Sequence, residues 1–195
     1  YKIFDFNFTK KVISSPSVGI LIILFFIIIF SVANIYGTLA LLTFKVYHFN
    51  DQQNGILFGL TGLIGAFVQA FLMKKISQKF SDKKIVVAGL IFMVIGLGFI
   101  PYGGNFLGLA IVISILAIGT GILQPIIPSM ISKRADQNLQ GSILGVNQSI
   151  SALARVFGPL WGGFSFDFFG YQFPFLTGAF FTFITIFLAI YLIEN

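Results

Sequence analysis

The residues best placed to do chemistry lie in the stretch Gly141 to Gly163, which reads GSILGVNQSISALARVFGPLWGG. Wound as an α-helix, this stretch brings small and polar residues into one stripe, because their spacing alternates between four and three. The stripe consists of Gly141, Gly145, Gln148, Ala152, Arg155, Pro159 and Gly162. In a membrane helix, small residues let a neighbouring helix approach and polar groups face the interior of the bundle. The pattern therefore predicts a transmembrane helix that lines an internal cavity.

Arg155 is the group with the most definite chemical consequence. It lies about fifteen residues into the predicted helix, which at about 1.5 Å per residue is near the middle of the bilayer. A cation at that depth costs several kcal/mol unless it is paired or hydrated. All acidic residues of the chain fall in predicted loops or at span ends. We therefore expect Arg155 to bind an anionic substrate or an acidic group from outside the chain, or else to hold helices together through helix-end carbonyls or Gln148.

Uncharged hydrogen-bonding residues occur in the first, second, fourth and fifth of the predicted spans. Each one taken alone is typical of contacts between helices, which contribute about 1 kcal/mol. Taken together they indicate a cavity wetted by substrate or water, since amides and hydroxyls inside a bundle need partners. The candidates are Asn34, Tyr36 and Thr38 in the first span, Gln69 in the second, Gln124 in the fourth, and Asn147, Gln148 and Ser151 in the fifth.

Composition places the chain in a membrane and excludes several classes of function. Its 195 residues are 57% hydrophobic and 9% charged, whereas about 25% of the residues of a soluble domain are charged. Cysteine is absent and His48 is the single histidine, so the sequence predicts no metal site and no cofactor. No paired carboxylates and no Ser/His or Ser/Lys pair fall at a matching depth, and the chain is therefore not expected to be an enzyme.

The elements that position these residues are six apolar segments of roughly the 20 residues that a span requires. Residues 1–16 are predicted to be a linker or a segment lying on the membrane surface. Residues 17–195 form the predicted all-α domain of six transmembrane helices. The predicted spans are 17–44, 55–73, 85–100, 106–131, 139–166 and 173–193. The chain begins with Tyr, and we expect it to be a piece of a longer polypeptide.

Basic residues predict the orientation. Lys and Arg cluster before the first span, between the second and third, and between the fourth and fifth, while only Lys45 lies in a connection on the other side. Short loops rich in Lys and Arg remain in the cytoplasm, so both ends of the domain are expected there. This distribution accounts for the net charge of +6 without a nucleic-acid partner.

Two motifs resemble those of the major facilitator superfamily of transporters. The loop KKISQKFSDKK at 74–84 is similar to a degenerate copy of its G-x-x-x-D-R-x-G-R-K motif. In that loop, Lys79, Lys83 and Lys84 match basic positions, Gln78 replaces the acidic residue and Ser81 replaces the glycine. The fifth span resembles the antiporter motif G-x-x-x-G-P-x-x-G-G, with residues Ala154, Gly158, Pro159, Gly162 and Gly163. A proline inside a helix removes a backbone donor, so this motif predicts either a hinge or a static kink.

The resemblance implies the C-terminal six-helix half of such a transporter, similar to drug:proton antiporters of the tetracycline-exporter type. It implies secondary active transport by alternating access, with proton-coupled efflux of a small amphipathic solute across a bacterial inner membrane. The implied partners are the bilayer, a small-molecule substrate, a proton, and an N-terminal half in the same polypeptide or in a separate chain. Arginine is not deprotonated in proteins, so a coupling carboxylate would belong to that other half. The alternatives are a metabolite or sugar uniporter of the same superfamily and a non-transporting membrane subunit that scaffolds a larger complex.

Overall fold

The fold is a bundle of long helices, seen in a computed structural model that describes residues 6–193. Residues 1–5 of the predicted linker and residues 194–195 of the predicted domain lie outside the described residues. The helices are α1 (Phe6–Ile13), α2 (Gly19–Lys45), α3 (Asp51–Phe67), α4 (Met73–Ser77), α5 (Asp82–Phe99), α6 (Phe106–Arg134), α7 (Gln140–Phe169) and α8 (Phe173–Leu192). A π-helical turn, Val68–Leu72, joins α3 to α4 without a break, and a 3-10 turn, Ile100–Tyr102, extends α5.

The predicted all-α architecture is confirmed for the residues that the structure describes. Five helical segments there are long and apolar enough to cross a membrane, namely α2, α3 through α4, α5 with its 3-10 turn, α6 and α8. The predicted fifth span falls on α7, a helix of 30 residues that is not among the five, since Asn147, Gln148 and Arg155 lower its hydropathy. The bounds of the spans and the cytoplasmic placement of both ends stay predictions.

The core of the bundle is α2, which packs against α7 and α8, while α6 packs against α5 and α3. In the most apolar stretch of 18 residues in α2, 61% of the residues are buried, whereas the corresponding share for the segment α3 through α4 is 11%. Glycine allows the closest approach between α5 and α6. A Cβ added to Gly119 would lie 2.8 Å from the Gly89 carbonyl oxygen, and one added to Gly96 would lie 2.7 Å from the Leu116 Cα. This pair is therefore a fixed unit, whereas α3 rests on the bundle through one face only.

Candidate functional site

Two adjoining cavities form a groove between α2, α3, α6 and α7. One cavity, of about 330 Å³, lies between α2, α3 and α6, and the other, of about 340 Å³, lies between α2, α6 and α7. Val32, Tyr36 and Gln124 line both cavities, so the two adjoin, and together we call them the central groove. Its walls come from the four helices on which the predicted cavity-lining spans fall.

Polar side chains concentrate at the α7 end of the central groove. Gln148 and Arg155, two helical turns apart on α7, line the second cavity together with Gln124 and Tyr36. None of the described residues that line the groove is acidic, and Arg155 is the single cation among them. Apolar side chains such as Phe25 and Ile29 complete the wall. The groove can therefore accept a molecule with an apolar body and an anionic or hydrogen-bond-accepting group.

The π-helical turn brings Gln69 to the other end of the central groove. A turn of this kind shifts the helical register by one residue and is frequent at functional sites. At the first residue of this turn the chain passes close to α6: a Cβ added to Gly121 would lie 3.1 Å from the Val68 Cβ. Gln69 lines the first cavity beside this crossing, so it and Gln124 bound the same space from two helices.

Two threonines of the central groove escaped the sequence reasoning. Thr61 on α3 and Thr120 on α6 both line the first cavity. Thr120 lies one turn before Gln124, and Thr61 lies about two turns before Gln69. Helical spacing from the predicted amides could therefore have identified both.

The other four predicted cavity residues lie at helix interfaces and do not line the central groove. The Asn34 Nδ2 donates to the Pro174 carbonyl oxygen at 2.5 Å, and the Thr38 hydroxyl donates to the Asn34 carbonyl oxygen at 2.7 Å. The Ser151 hydroxyl donates to the Asn147 carbonyl oxygen at 2.8 Å. The Asn147 side chain is buried, with no hydrogen-bonding group of the described residues in reach. Any part these four residues have in binding stays a prediction.

The glycine-proline motif forms the contact between α7 and α2. Ala154 is fully buried, and a Cβ added to Gly158 would lie 2.8 Å from the Ala33 Cβ. A Cβ added to Gly162 would lie 2.8 Å from the Asn34 carbonyl oxygen, whereas one added to Gly163 would meet nothing within 4 Å. Pro159 is exposed, and α7 continues through it to Phe169. The motif thus sets the distance between two helices, and its role as a hinge stays a prediction.

The family follows from a comparison of the whole chain with known proteins. Residues 11–195 match the model of the Major Facilitator Superfamily. The chain belongs to that superfamily. It is accordingly a multi-pass integral membrane protein of a transporter family, and the prediction that it is not an enzyme is confirmed.

Individual relatives agree with this assignment. Multidrug resistance protein 2 of Bacillus subtilis (strain 168) is 25% identical over 177 residues, which are 89% of this chain and 44% of that protein. The class C tetracycline resistance protein of Escherichia coli is 25% identical over 114 residues, which are 58% of this chain and 28% of that protein. The crystal structure of the human organic anion transporter MFSD10 (TETRAN) superposes with a TM-score of 0.80 at 24% identity, over 89% of this chain and 40% of that one.

These figures confirm the sequence-based resemblance to drug exporters and to the tetracycline-resistance type. They also show that the chain spans less than half the length of these relatives. What the complete relatives transport is therefore a property of longer proteins.

The superfamily loop motif lies at the lysine-bearing end of the bundle. Gln78, Lys79, Ser81 and Lys84 are exposed, and Lys83 is half-buried. Asp82, directly after Ser81, accepts a hydrogen bond from the Lys133 Nζ at 2.9 Å. This ion pair joins the start of α5 to the end of α6, a role for Asp82 that sequence reasoning did not foresee.

Proposed function

We propose that this chain is the C-terminal half of a secondary active transporter that moves a small amphipathic solute through the central groove by alternating access. The observation that carries this proposal is the open face of α7, which presents Gln148 and Arg155 to a groove without acidic residues. A guanidinium in such a place is costly unless it is hydrated or paired, so a solute that displaces the water there must bring an anionic partner. The substrate, or a carboxylate of another half, would supply it.

An N-terminal half would complete the central groove. The segment α3 through α4 is apolar but only 11% buried in its most apolar window, so most of its surface is available to lipid or to another bundle. The chain covers 44% of the length of the Bacillus relative, which is consistent with one half of a two-bundle protein. This second bundle would lie in the same polypeptide or in a separate chain.

Efflux coupled to protons is the direction and energy source that we favour. Two of the relatives are named as multidrug and tetracycline resistance proteins, which supports export of an amphipathic compound. The groove residues of this chain include no carboxylate, so the proton-binding group would belong to the other half. Relatives in Bacillus subtilis and Escherichia coli are compatible with a bacterial inner membrane, with both ends of the domain in the cytoplasm.

Transport by membrane vesicles tests the proposal. The protein, as the cell makes it, is assayed in everted vesicles with tetracycline and fluorescein as amphipathic probes. Arg155→Ala is expected to reduce transport roughly tenfold or more, because it removes one partner of a desolvated charge pair. Arg155→Lys retains the charge but loses the planar donor fork. Its transport rate is expected to lie between those of Arg155→Ala and the unsubstituted protein.

Ser149→Ala is the matched control, since Ser149 is exposed on α7 one residue from Gln148 and its hydroxyl bonds within its own helix. This variant is expected to transport at the unsubstituted rate. Full activity of Arg155→Ala would contradict the proposal. Absence of any solute movement by the unsubstituted protein would instead favour the non-transporting subunit.

A further inference from the structure

A second groove, separate from the central one, opens on the outside of the bundle between α4, α5 and α6. Its volume is about 570 Å³, and its walls include Ile76 and Phe80 from the α4 side, Ala88 and Phe92 of α5, and Ile122 of α6. Lys84 is the only polar residue among the described residues that line it. We call this space the outer groove.

The outer groove exists because its walls pack unevenly. The helices α5 and α6 pack closely at their glycines. A Cβ added to Gly89, for example, would lie 2.9 Å from the Leu123 Cγ. The segment α3 through α4 approaches α6 closely where Gly65 and Val68 lie beside Gly121. Beyond that crossing α4 leaves a gap beside α5, and no described side chain fills it.

The dimensions of the outer groove suit a single hydrocarbon chain. From Lys84 to Phe92 it follows α5 for about 12 Å, at about 1.5 Å per residue. That is most of one leaflet of a hydrocarbon core about 30 Å thick. The groove therefore runs from the headgroup level into the leaflet, with apolar walls along its length and a cation at its mouth.

The charge around the mouth is one-sided. Five lysines lie between residues 74 and 84, and Asp82 is the only acidic residue in that stretch. Asp82 is engaged by Lys133 at 2.9 Å, so its charge is balanced from within the bundle. Lys84 has no ion-pair partner among the described residues. An anionic group at the mouth would thus meet uncompensated positive charge.

We propose that the outer groove binds an anionic phospholipid, with one acyl chain between α4 and α5 and the phosphate on Lys84. Each basic residue near a membrane surface contributes about a fivefold preference for anionic lipid. A zwitterionic lipid gains the same apolar contact but no net attraction to the lysines. The binding selects the headgroup, and it is independent of what the central groove transports.

Brominated lipids test which molecule occupies the outer groove. Phe92→Trp places a fluorescent side chain in the groove wall, and bromine on an adjacent acyl chain quenches it. The protein, as the cell makes it, is reconstituted with brominated phosphatidylglycerol or brominated phosphatidylcholine at increasing mole fraction. The signal of Trp161 is measured in the parent protein and subtracted. Phosphatidylglycerol is expected to reach half-maximal quenching at a roughly fivefold lower mole fraction.

Three variants locate the preference. Lys83→Gln combined with Lys84→Gln is expected to abolish it, whereas Lys74→Gln combined with Lys75→Gln removes the same charge outside the groove and is expected to retain most of it. Ala88→Phe fills the groove and is expected to weaken quenching by both lipids. Ile111→Trp, exposed at the opposite end of α6, is expected to show no preference.

Several outcomes would overturn the proposal. Equal quenching by the two lipids would exclude headgroup selection. A preference that survives loss of Lys83 and Lys84, or that disappears equally on loss of Lys74 and Lys75, would assign it to diffuse charge. Absence of quenching by either lipid would show that a protein segment covers the groove.

Discussion

The two faces of α7 lie in different environments. One face carries the buried Ala154 together with Gly158 and Gly162, where an added Cβ would lie 2.8 Å from an atom of α2. The other face, with Gln148 and Arg155, opens onto the central groove. The centres of the two faces are about 70° apart around the same helix, at about 3.6 residues per turn. One stretch of sequence therefore sets the distance between α7 and α2 and also carries the polar groups. The packing of the first face determines the direction in which Gln148 and Arg155 point.

The small residues make the same point, since their type does not reveal which face they serve. A Cβ added to Gly141 or Gly145 would meet nothing within 4 Å, whereas one added to Gly158 would meet α2. Glycine on the packed face is required for close approach. Gly141 and Gly145 make no such close contact among the described residues, so glycine there carries only its helix-propensity cost.

Adjacent glycines of the motif provide the largest expected effect. Gly162→Ala forces a methyl group toward the Asn34 carbonyl oxygen, 2.8 Å away, and is expected to destabilise the protein by about 1–3 kcal/mol through overpacking. Gly163→Ala places the same methyl group in open space. It is expected to be neutral, or to stabilise the protein by up to about 1 kcal/mol through helix propensity.

The unfolding temperature of the purified protein in detergent measures both variants. A fall for Gly162→Ala with none for Gly163→Ala sharpens the distinction between the faces. Equal effects of the two substitutions would mean that the motif does not pack against α2 as described.

Substitutions of the two adjacent amides, Asn147 and Gln148, are expected to have smaller effects, and they differ in whether transport is affected. Asn147 is buried on the packed face without a hydrogen-bonding partner in the described residues, whereas Gln148 lines the central groove. Asn147→Leu keeps the branched shape and removes an unsatisfied polar group, while its larger side chain adds a packing cost, so the unfolding free energy is expected to change by no more than about 1–2 kcal/mol. Transport is expected to persist.

Gln148→Leu is expected to leave the unfolding temperature unchanged and to reduce vesicle transport severalfold, because it removes a donor from the groove wall. Measuring the unfolding temperature and the transport rate on both variants separates the two faces. A larger loss of transport in Asn147→Leu than in Gln148→Leu would reverse the assignment.

The sequence predicted a large part of this arrangement because helical periodicity is a strong signal. It identified the all-helical membrane class, the superfamily, and the α7 face that carries Gln148 and Arg155. Periodicity states which residues share a face, but not which neighbouring helix that face meets. Asn34 and Thr38 were for that reason assigned to the cavity, although α2 turns them toward α8 and its own backbone.

Two further features depend on tertiary contacts that the sequence does not display. The π-helical turn at Val68–Leu72 has no local composition that marks it, and it decides where Gln69 points. The ion pair between Asp82 and Lys133 joins residues that are distant in sequence, and only the antiparallel packing of α5 and α6 brings them together.

Cysteine labelling of neighbouring α7 residues tests the central claim most directly. Ala152 is exposed on α7, four residues after Gln148 and three before Arg155, and Ser151 is buried on the packed face. Because this chain has no cysteine, single cysteines can be introduced there, with any cysteine outside the chain replaced. In membrane vesicles, Ala152→Cys is predicted to react with a membrane-impermeant thiol reagent, and the near-isosteric Ser151→Cys is predicted to remain unlabelled. Equal labelling of both positions, or labelling of neither, would contradict the account in which one face of α7 is open to solvent and the other is packed.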